Sequence, residues 1–208
     1  MNAGFSNLAT LKAHLLTAEL RALTDFNTQI TALGLGVAAQ FEKYCNRKFM
    51  RSAGATMTFP ADNDHVILDR YPVEAVTKVE IKENSTDGFV EEANAIENWD
   101  AASGWLTFGA PLSTNLAVGR VTFTGGYFWE QLESTDQGYP TAVPAGSTAI
   151  PDDLKYAWLL QCKAAWDSQD RLGTGIAEKP GERSKLGELD LLPAVKLTLA
   201  GYIRMALV

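Results

Sequence analysis

Apolar residues recur along this chain in two rhythms, and the change of rhythm divides it. From Phe26 they fall at Ile30, Leu33, Val37, Phe41 and Tyr44, steps of three and four that lay them on one face of a helix. Thr24 or Asp25 stands where a cap is needed. Upstream, Leu8, Leu11, Leu15 and Ala18 predict a shorter helix with Asn7 as its cap. Gly34 and Gly36 lie inside the longer helix, where each costs about 1 kcal/mol against alanine, so a kink or a close approach by another backbone is expected there.

After Arg47 the rhythm shortens to two. Met57-Thr58-Phe59, His65 to Leu68, Val76 to Lys82, Gly104 to Phe108 and Arg120 to Thr124 are alternating or β-branched runs, the pattern of half-buried strands. Pro60, Asp62-Asn63-Asp64, Tyr71-Pro72 and the polar stretch from Pro111 to Asn115 separate them as turns and loops. Residues 130–149 carry Gly, Pro, Ser and Thr with little periodicity, and a loop of that length inside a compact domain is commonly a contact device. Helix resumes at Pro151, with Asp152 and Asp153 facing the positive end of its dipole and Leu154, Trp158, Cys162, Ala165 and Trp166 on its buried face. Gly173 and Gly175 are its stop. A Gly-rich, charged stretch follows over 173–189, and a last helix from Pro193 sets Val195, Leu199 and Tyr202 or Ile203 on one side.

These elements predict an α+β fold, a helical bundle core with a small antiparallel β unit inserted between its second and third helices. The expected boundaries are 1–50 for the N-terminal helices of the core, 51–129 for the β-rich insert, 130–149 for a loop extension and 150–208 for the C-terminal helices and arm. With 208 residues and 46% apolar composition the chain can bury one sizeable core. Its net charge of −7 repels phosphate, which opposes non-specific nucleic-acid binding and is compatible with a wall past which a polyanion slides. Cys45 and Cys162 are too few for a disulfide framework and fit a reducing compartment. Met1 to Ser6 lacks the basic start and apolar run of a signal peptide, and no run reaches the ~18 to 20 apolar residues of a membrane helix. The expectation is a protein made in the cytoplasm with no membrane partner.

Candidate chemistry is sparse. His14 and His65 are the only histidines, neither in a recognised motif, and no Gly-x-Ser-x-Gly, Walker, His-Glu-x-x-His or Cys-x-x-Cys pattern occurs. Gly34-Leu35-Gly36 imitates a dinucleotide fingerprint, but no strand precedes it and its third glycine is missing. Asp152-Asp153 and the pair Asp167 and Asp170 are explained by helix-end electrostatics and a solvated terminus. Trp158 and Trp166, with Tyr156 near, could stack on bases, but only Lys155 and Lys163 lie beside them before Arg171, and a spacing of eight is core spacing. No catalytic, cofactor or metal site is therefore expected, and the chain reads as a non-enzymatic structural subunit.

One ordered series is more informative than any single motif. It runs Phe41-Glu42-Lys43-Tyr44-Cys45-Asn46-Arg47-Lys48-Phe49, Leu68-Asp69-Arg70-Tyr71-Pro72-Val73, Val121-Thr122-Phe123-Thr124-Gly125-Gly126-Tyr127 and Ile150-Pro151-Asp152-Asp153-Leu154-Lys155-Tyr156-Ala157. Each piece has the character of a joint: Tyr71-Pro72 sets an extended backbone, and Gly125-Gly126 permits angles closed to other residues. The series resembles the head-tail connector proteins, also called adaptor or head-completion proteins, of long-tailed double-stranded DNA bacteriophages, over roughly Leu8 to Tyr202.

The resemblance implies a ring, of twelve copies, at the virion neck. It binds the portal protein above and the next neck or tail-completion component below, with genomic DNA passing through its lumen without specific binding. The loop at 130–149 is longer than the family pattern. The end of the chain docks on the portal in similar proteins, so Gly173 to Leu189 and the helix from Pro193 to Leu207 are read as a docking arm. Its expected contact residues are Leu186, Leu189, Leu191, Leu192, Leu197, Leu199, Tyr202 and Ile203. Rival readings are another neck ring such as a stopper or tail terminator, which would be more purely β, or an enzyme whose acids converge in space.

Overall fold

A computed structural model describes residues 3–84, 86–113, 117–128, 145–174 and 190–204, with 169–174 by backbone alone. Helix makes up 35% and strand 30% of the structure, which makes the architecture mixed α+β. The chain divides into two units: Met1–Cys45 with Trp129–Ala142 and Ile150–Ile203, and Asn46–Phe128 with Val143–Ala149 and Arg204–Val208.

The first unit holds the helices α1 (Leu8–Leu15), α2 (Ala18–Arg21), α3 (Asn27–Cys45), α4 (Asp152–Thr174) and α5 (Pro193–Ala200). Asn7 caps α1 as its position predicted, its Oδ1 accepting the Thr10 N–H at 2.8 Å. Leu16 is extended and stops α1, so Ala18 opens a separate short helix. In α3 the buried face is Ile30, Gly34, Val37, Ala38, Phe41 and Cys45, whereas Tyr44 is exposed.

Gly34 is the close approach. A Cβ there would run into the Ala3 carbonyl oxygen, while one at Gly36 would meet nothing within 4 Å. The contact is reciprocal: Gly4, at φ +117°, would set a Cβ 2.7 Å from the Gly34 oxygen. That oxygen accepts the Trp158 Nε1–H at 3.0 Å. Residues 3–6, which have no periodicity to betray them, are buried, with Phe5 5.7 Å from Phe41 and 6.1 Å from Trp158 between ring centroids.

Leu154, Trp158, Cys162 and Ala165 face the core from α4, as their spacing predicted. Trp166 is half-buried, edge-on to Phe26 at 6.1 Å. The chain returns to α4 at Gln161, a buried amide that accepts the Leu192 N–H at 3.0 Å and donates to the Asp190 oxygen at 3.4 Å. From there α5 opens on Pro193 and buries Val195 and Leu199.

The second unit is built from β1 (Ser52–Pro60), β2 (His65–Ile67), β3 (Val73–Lys82), β4 (Val90–Glu91), β5 (Ile96–Asp100), β6 (Trp105–Phe108), β7 (Val118–Gly125), β8 (Tyr127–Phe128) and β9 (Thr148–Ala149). One sheet runs β1-β7-β3-β4 and another β2-β6-β5, every pair antiparallel; β8 and β9 form a short parallel pair. The two antiparallel sheets share one core, with Phe59, Val73, Val79, Val121 and Phe123 from the first meeting Val66, Leu106 and Phe108 from the second.

β1 and β3 begin earlier than their alternation predicts, at Ser52 and Val73. The first residues of β1 are small and carry a bulge at Gly54, whose φ is +67°. β4 and β5 lie at sheet edges and are largely exposed, so they offer no apolar alternation to read. Of the predicted loop 130–149, residues 130–144 lie outside the described residues, and Thr148–Ala149 is a strand because it pairs with Tyr127–Phe128.

Candidate functional site

Three of the four joint pieces converge inside the β unit. Directly after α3, Asn46 takes φ +51°, a left-handed angle that asparagine tolerates at helix ends, and the chain then carries Arg47 into the interior. Its guanidinium carbon lies 3.3 Å from the centroid of the Tyr71 ring, 4.9 Å from that of Phe49 and 5.6 Å from that of Tyr127. It also donates to the Tyr71 carbonyl oxygen. Burial lowers its pKa from the ordinary arginine value, and aromatic faces stabilise the cation.

Around it the backbone is knitted across the pieces. Lys48 N–H donates to Asp69 oxygen at 2.6 Å, Tyr127 N–H to Phe49 oxygen at 2.7 Å and Gly126 N–H to Pro72 oxygen at 2.8 Å. The Tyr71-Pro72 peptide is cis. Arg70 donates to the Met50 oxygen, and Arg51 holds Glu74 through two bonds of 2.7 Å. Both glycines of the joint are required. A Cβ on Gly125 would sit 2.8 Å from the Arg70 oxygen, and one on Gly126, at φ +98°, 2.7 Å from the Met50 oxygen. This arrangement locks three strand connections into one geometry.

A second charged cluster lies on the β3–β7 pair. Glu80, nearly buried, accepts from Arg120 at 2.8 and 2.9 Å and from Lys78 at 3.0 Å. These hydrogen bonds, Arg120 first, hold its pKa down to about 2, and Arg120 lies over the Phe89 ring at 4.0 Å. Glu80 and Arg120 stand directly opposite in register. Opposite charges in two strand-like runs were the only trace of this in the sequence, and strand pairing was needed to read it.

The residues singled out for chemistry do not gather. His65 stacks on Trp105 at 4.6 Å beside Asp64, while His14 is half-buried in α1. Asp153 Oδ1 takes the Leu154 N–H and the Tyr202 hydroxyl, each at 2.8 Å, and Asp167 pairs with Lys163 at 2.7 Å. Trp158 is core. Cys45 and Cys162 are buried thiols not joined in a disulfide; Cys45 donates to the Leu199 oxygen at 3.7 Å, and burial pushes Cys162 up to about 12. Among the described residues no group of three or more His, Cys, Asp or Glu is placed to hold a metal, and no helix is long and apolar enough to cross a membrane.

The expected contact residues at the chain's end separate by burial. Leu191 and Leu199 pack into their own unit, Leu192 and Tyr202 are half-buried, and Leu197 and Ile203 are exposed, Leu197 at 80%. Leu186 and Leu189 lie outside the described residues. Tyr156, on the first turns of α4, is also exposed.

No protein-family model matches this chain, and no curated protein matches it. Solved structures do. A chain in the neck of an empty gene transfer agent (GTA) particle, computed with C6 symmetry, aligns with 100% of this chain and 95% of its own length, at a TM-score of 0.63 and 14% identity. A chain in the virion of a native GTA particle aligns with 97% of this chain and 90% of its own, at a TM-score of 0.60 and 13% identity. At these identities the likeness is one of fold, and it extends over the full length of the chain.

Proposed function

We propose that this chain is a structural, non-enzymatic component of a virion neck, a head-tail adaptor. In this reading it forms a ring that joins the portal to the next neck or tail component and extends the channel through which DNA leaves. The observation that carries the reading is the full-length fold likeness to a chain from the neck of a GTA particle, in a protein whose joint residues resemble the phage connector series. One argument rests on backbone geometry and the other on residue order. A sixfold symmetry in that neck is compatible with rings of six or of twelve copies, and twelve is the number the resemblance implies. The rival stopper or tail-terminator reading accounts less well for a chain with as much helix as strand.

Residues 1–50 and 150–208 serve in this proposal as the bundle core of the subunit, 51–129 as its insert and 130–149 as an extension toward a partner. The net charge of −7 suits a lumen through which DNA slides without sticking. Portal contact through the chain's end falls first to Leu197 and Ile203, with Leu186 and Leu189. Leu191, Leu192, Leu199 and Tyr202 support that surface from beneath. Removing 174–208 would strip Leu191, Val195 and Leu199 from the core, so truncation would test folding before binding.

The deciding experiment is electron cryomicroscopy of the protein mixed with its portal, with Leu197→Asp as a folded control. A coaxial ring on the portal, lost in the variant, is expected. A protein that leaves the portal bare, or assembles as a ring only on tail-side components, overturns the adaptor reading.

A further inference from the structure

The four-stranded sheet carries an apolar position that its own unit leaves uncovered. In the antiparallel pair β3–β4, Ile81 stands opposite Val90, and residues directly opposite share a face of the sheet. Ile81 is on the core side, buried with Ala61 and Ala117. Val90, on that same side, is 65% exposed and belongs to neither core cluster. Beside them runs a groove of about 370 Å³ lined by Ile81, Glu83, Asp87, Gly88, Val90 and Glu92. Among the described residues, three acids and no cation line it. β4 is the edge of its sheet and only two residues long, so among the described residues the backbone groups on its outer side have no ladder partner.

The charge around this groove is not a sample of the whole surface. Residues 82–100 hold six acids against Lys82, a net −5 in a chain of −7. We propose that the groove is a docking site for an extended segment of another protein, with an apolar side chain seated on Ile81 and Val90 and flanking lysines or arginines meeting Glu83, Asp87 and Glu92. The apolar seat and the open edge call for a strand-like segment, and the acids select a basic one. A second copy of this chain fits poorly. Its own net charge of −7 opposes so acidic a site, and five of its cations are already paired, Arg51 with Glu74, Lys78 and Arg120 with Glu80, Lys163 with Asp167 and Lys196 with Asp190.

The inference does not depend on the neck assignment, and its test uses the full chain alone. A labelled synthetic peptide alternating lysine and valine is titrated by fluorescence anisotropy, with lysine–serine and glutamate–valine peptides as controls, and amide exchange maps the contact. Binding is expected only for the lysine–valine peptide, with protection centred on Val90 and Glu91. Raising salt from about 0.05 M to about 0.5 M weakens it about tenfold. Val90→Ser, and Glu83→Gln with Glu92→Gln, each weaken it about tenfold, with melting temperatures unchanged because these side chains are exposed. Equal binding of either control peptide, no binding of the lysine–valine peptide, or indifference to Val90→Ser overturns the proposal. So does self-association of the chain that Val90→Ser abolishes, which would make the occupant a second copy.

Discussion

The helical unit and the β unit bury comparable apolar cores but close them by different means. In the helical unit the Trp158 indole rests on the Gly34 oxygen, the Gln161 amide on Asp190 and Leu192, and the buried Lys12 ammonium on the Leu23 and Asn27 oxygens, with no carboxylate in these three seals. Its tightest place is a backbone contact that only glycine permits. In the β unit the seals are charged: Arg47 among three rings, Arg51 on Glu74, and Arg120 and Lys78 on Glu80. One unit is therefore governed by volume, the other by volume plus protonation state, and substitutions should separate them.

The largest expected effect is Trp158→Ala. It opens a cavity in a fully buried site and removes the bond to Gly34, costing about 3 to 5 kcal/mol. Calorimetry with amide exchange should show the helical unit destabilised and the β strands protected. Loss of both together would break the comparison.

Next is Gly34→Ala, at about 2 to 3 kcal/mol, because the new methyl meets the Ala3 oxygen, with Leu11 Cδ2 at 2.8 Å and Trp158 Cζ2 at 3.0 Å. Gly36→Ala, two residues on and facing open space, should instead stabilise by about 0.5 to 1 kcal/mol. The pair of melting curves reads close packing against helix propensity in one helix.

Arg47→Leu keeps much of the apolar bulk but loses the stacked cation and the bond to the Tyr71 oxygen. About 2 kcal/mol is expected, confined to the β unit. An equal loss in the helical transition would show that the joint does not act locally.

The smallest expected loss is Glu80→Gln, about 1 kcal/mol at neutral pH. Because Glu80 is depressed from 4.5 to about 2 in the folded chain, its contribution is complete above the unfolded value and is lost as pH falls toward 2. Wild type and variant should therefore converge in stability between about pH 4.5 and pH 2. A difference that persists undiminished at pH 2 would remove the charged seal from the account.

Much of the fold was legible because its long elements repeat. The faces of α3 and α4, the Asn7 cap and five of the strands follow from spacing of three, four or two. Tyr44 and Trp166 are the instructive exceptions in those faces. Each keeps the period without being fully covered, as does half-buried Leu33 in the middle of α3. What stayed hidden was short, charged or aperiodic: β4 and β5 with exposed acids, β8 and β9 held by a partner about twenty residues away, and the buried plug of residues 3–6.

The candidate sites were less readable than the elements. Arg47, Tyr71 and Gly125-Gly126 stood out as members of an ordered series, yet nothing in their spacing said that one guanidinium would lie among the rings of the others. The leucines near the chain's end looked alike in sequence, and only packing divided Leu199, with no exposure, from Leu197 at 80%. Val90 was invisible for the same reason, since an uncovered core-side position is defined by what fails to lie over it.

By itself, then, the sequence determined the α+β composition, the places where helix gives way to strand, the acidic balance and the absence of familiar catalytic motifs. Periodicity, propensity and charge are properties of residues in order along a chain. The Gly34–Ala3 contact, the aromatic cage of Arg47, the Glu80–Arg120 pair and the open groove at Val90 were decided only by tertiary structure. Each is a relation between residues far apart in sequence, fixed by strand register and side-chain volume when the core closes.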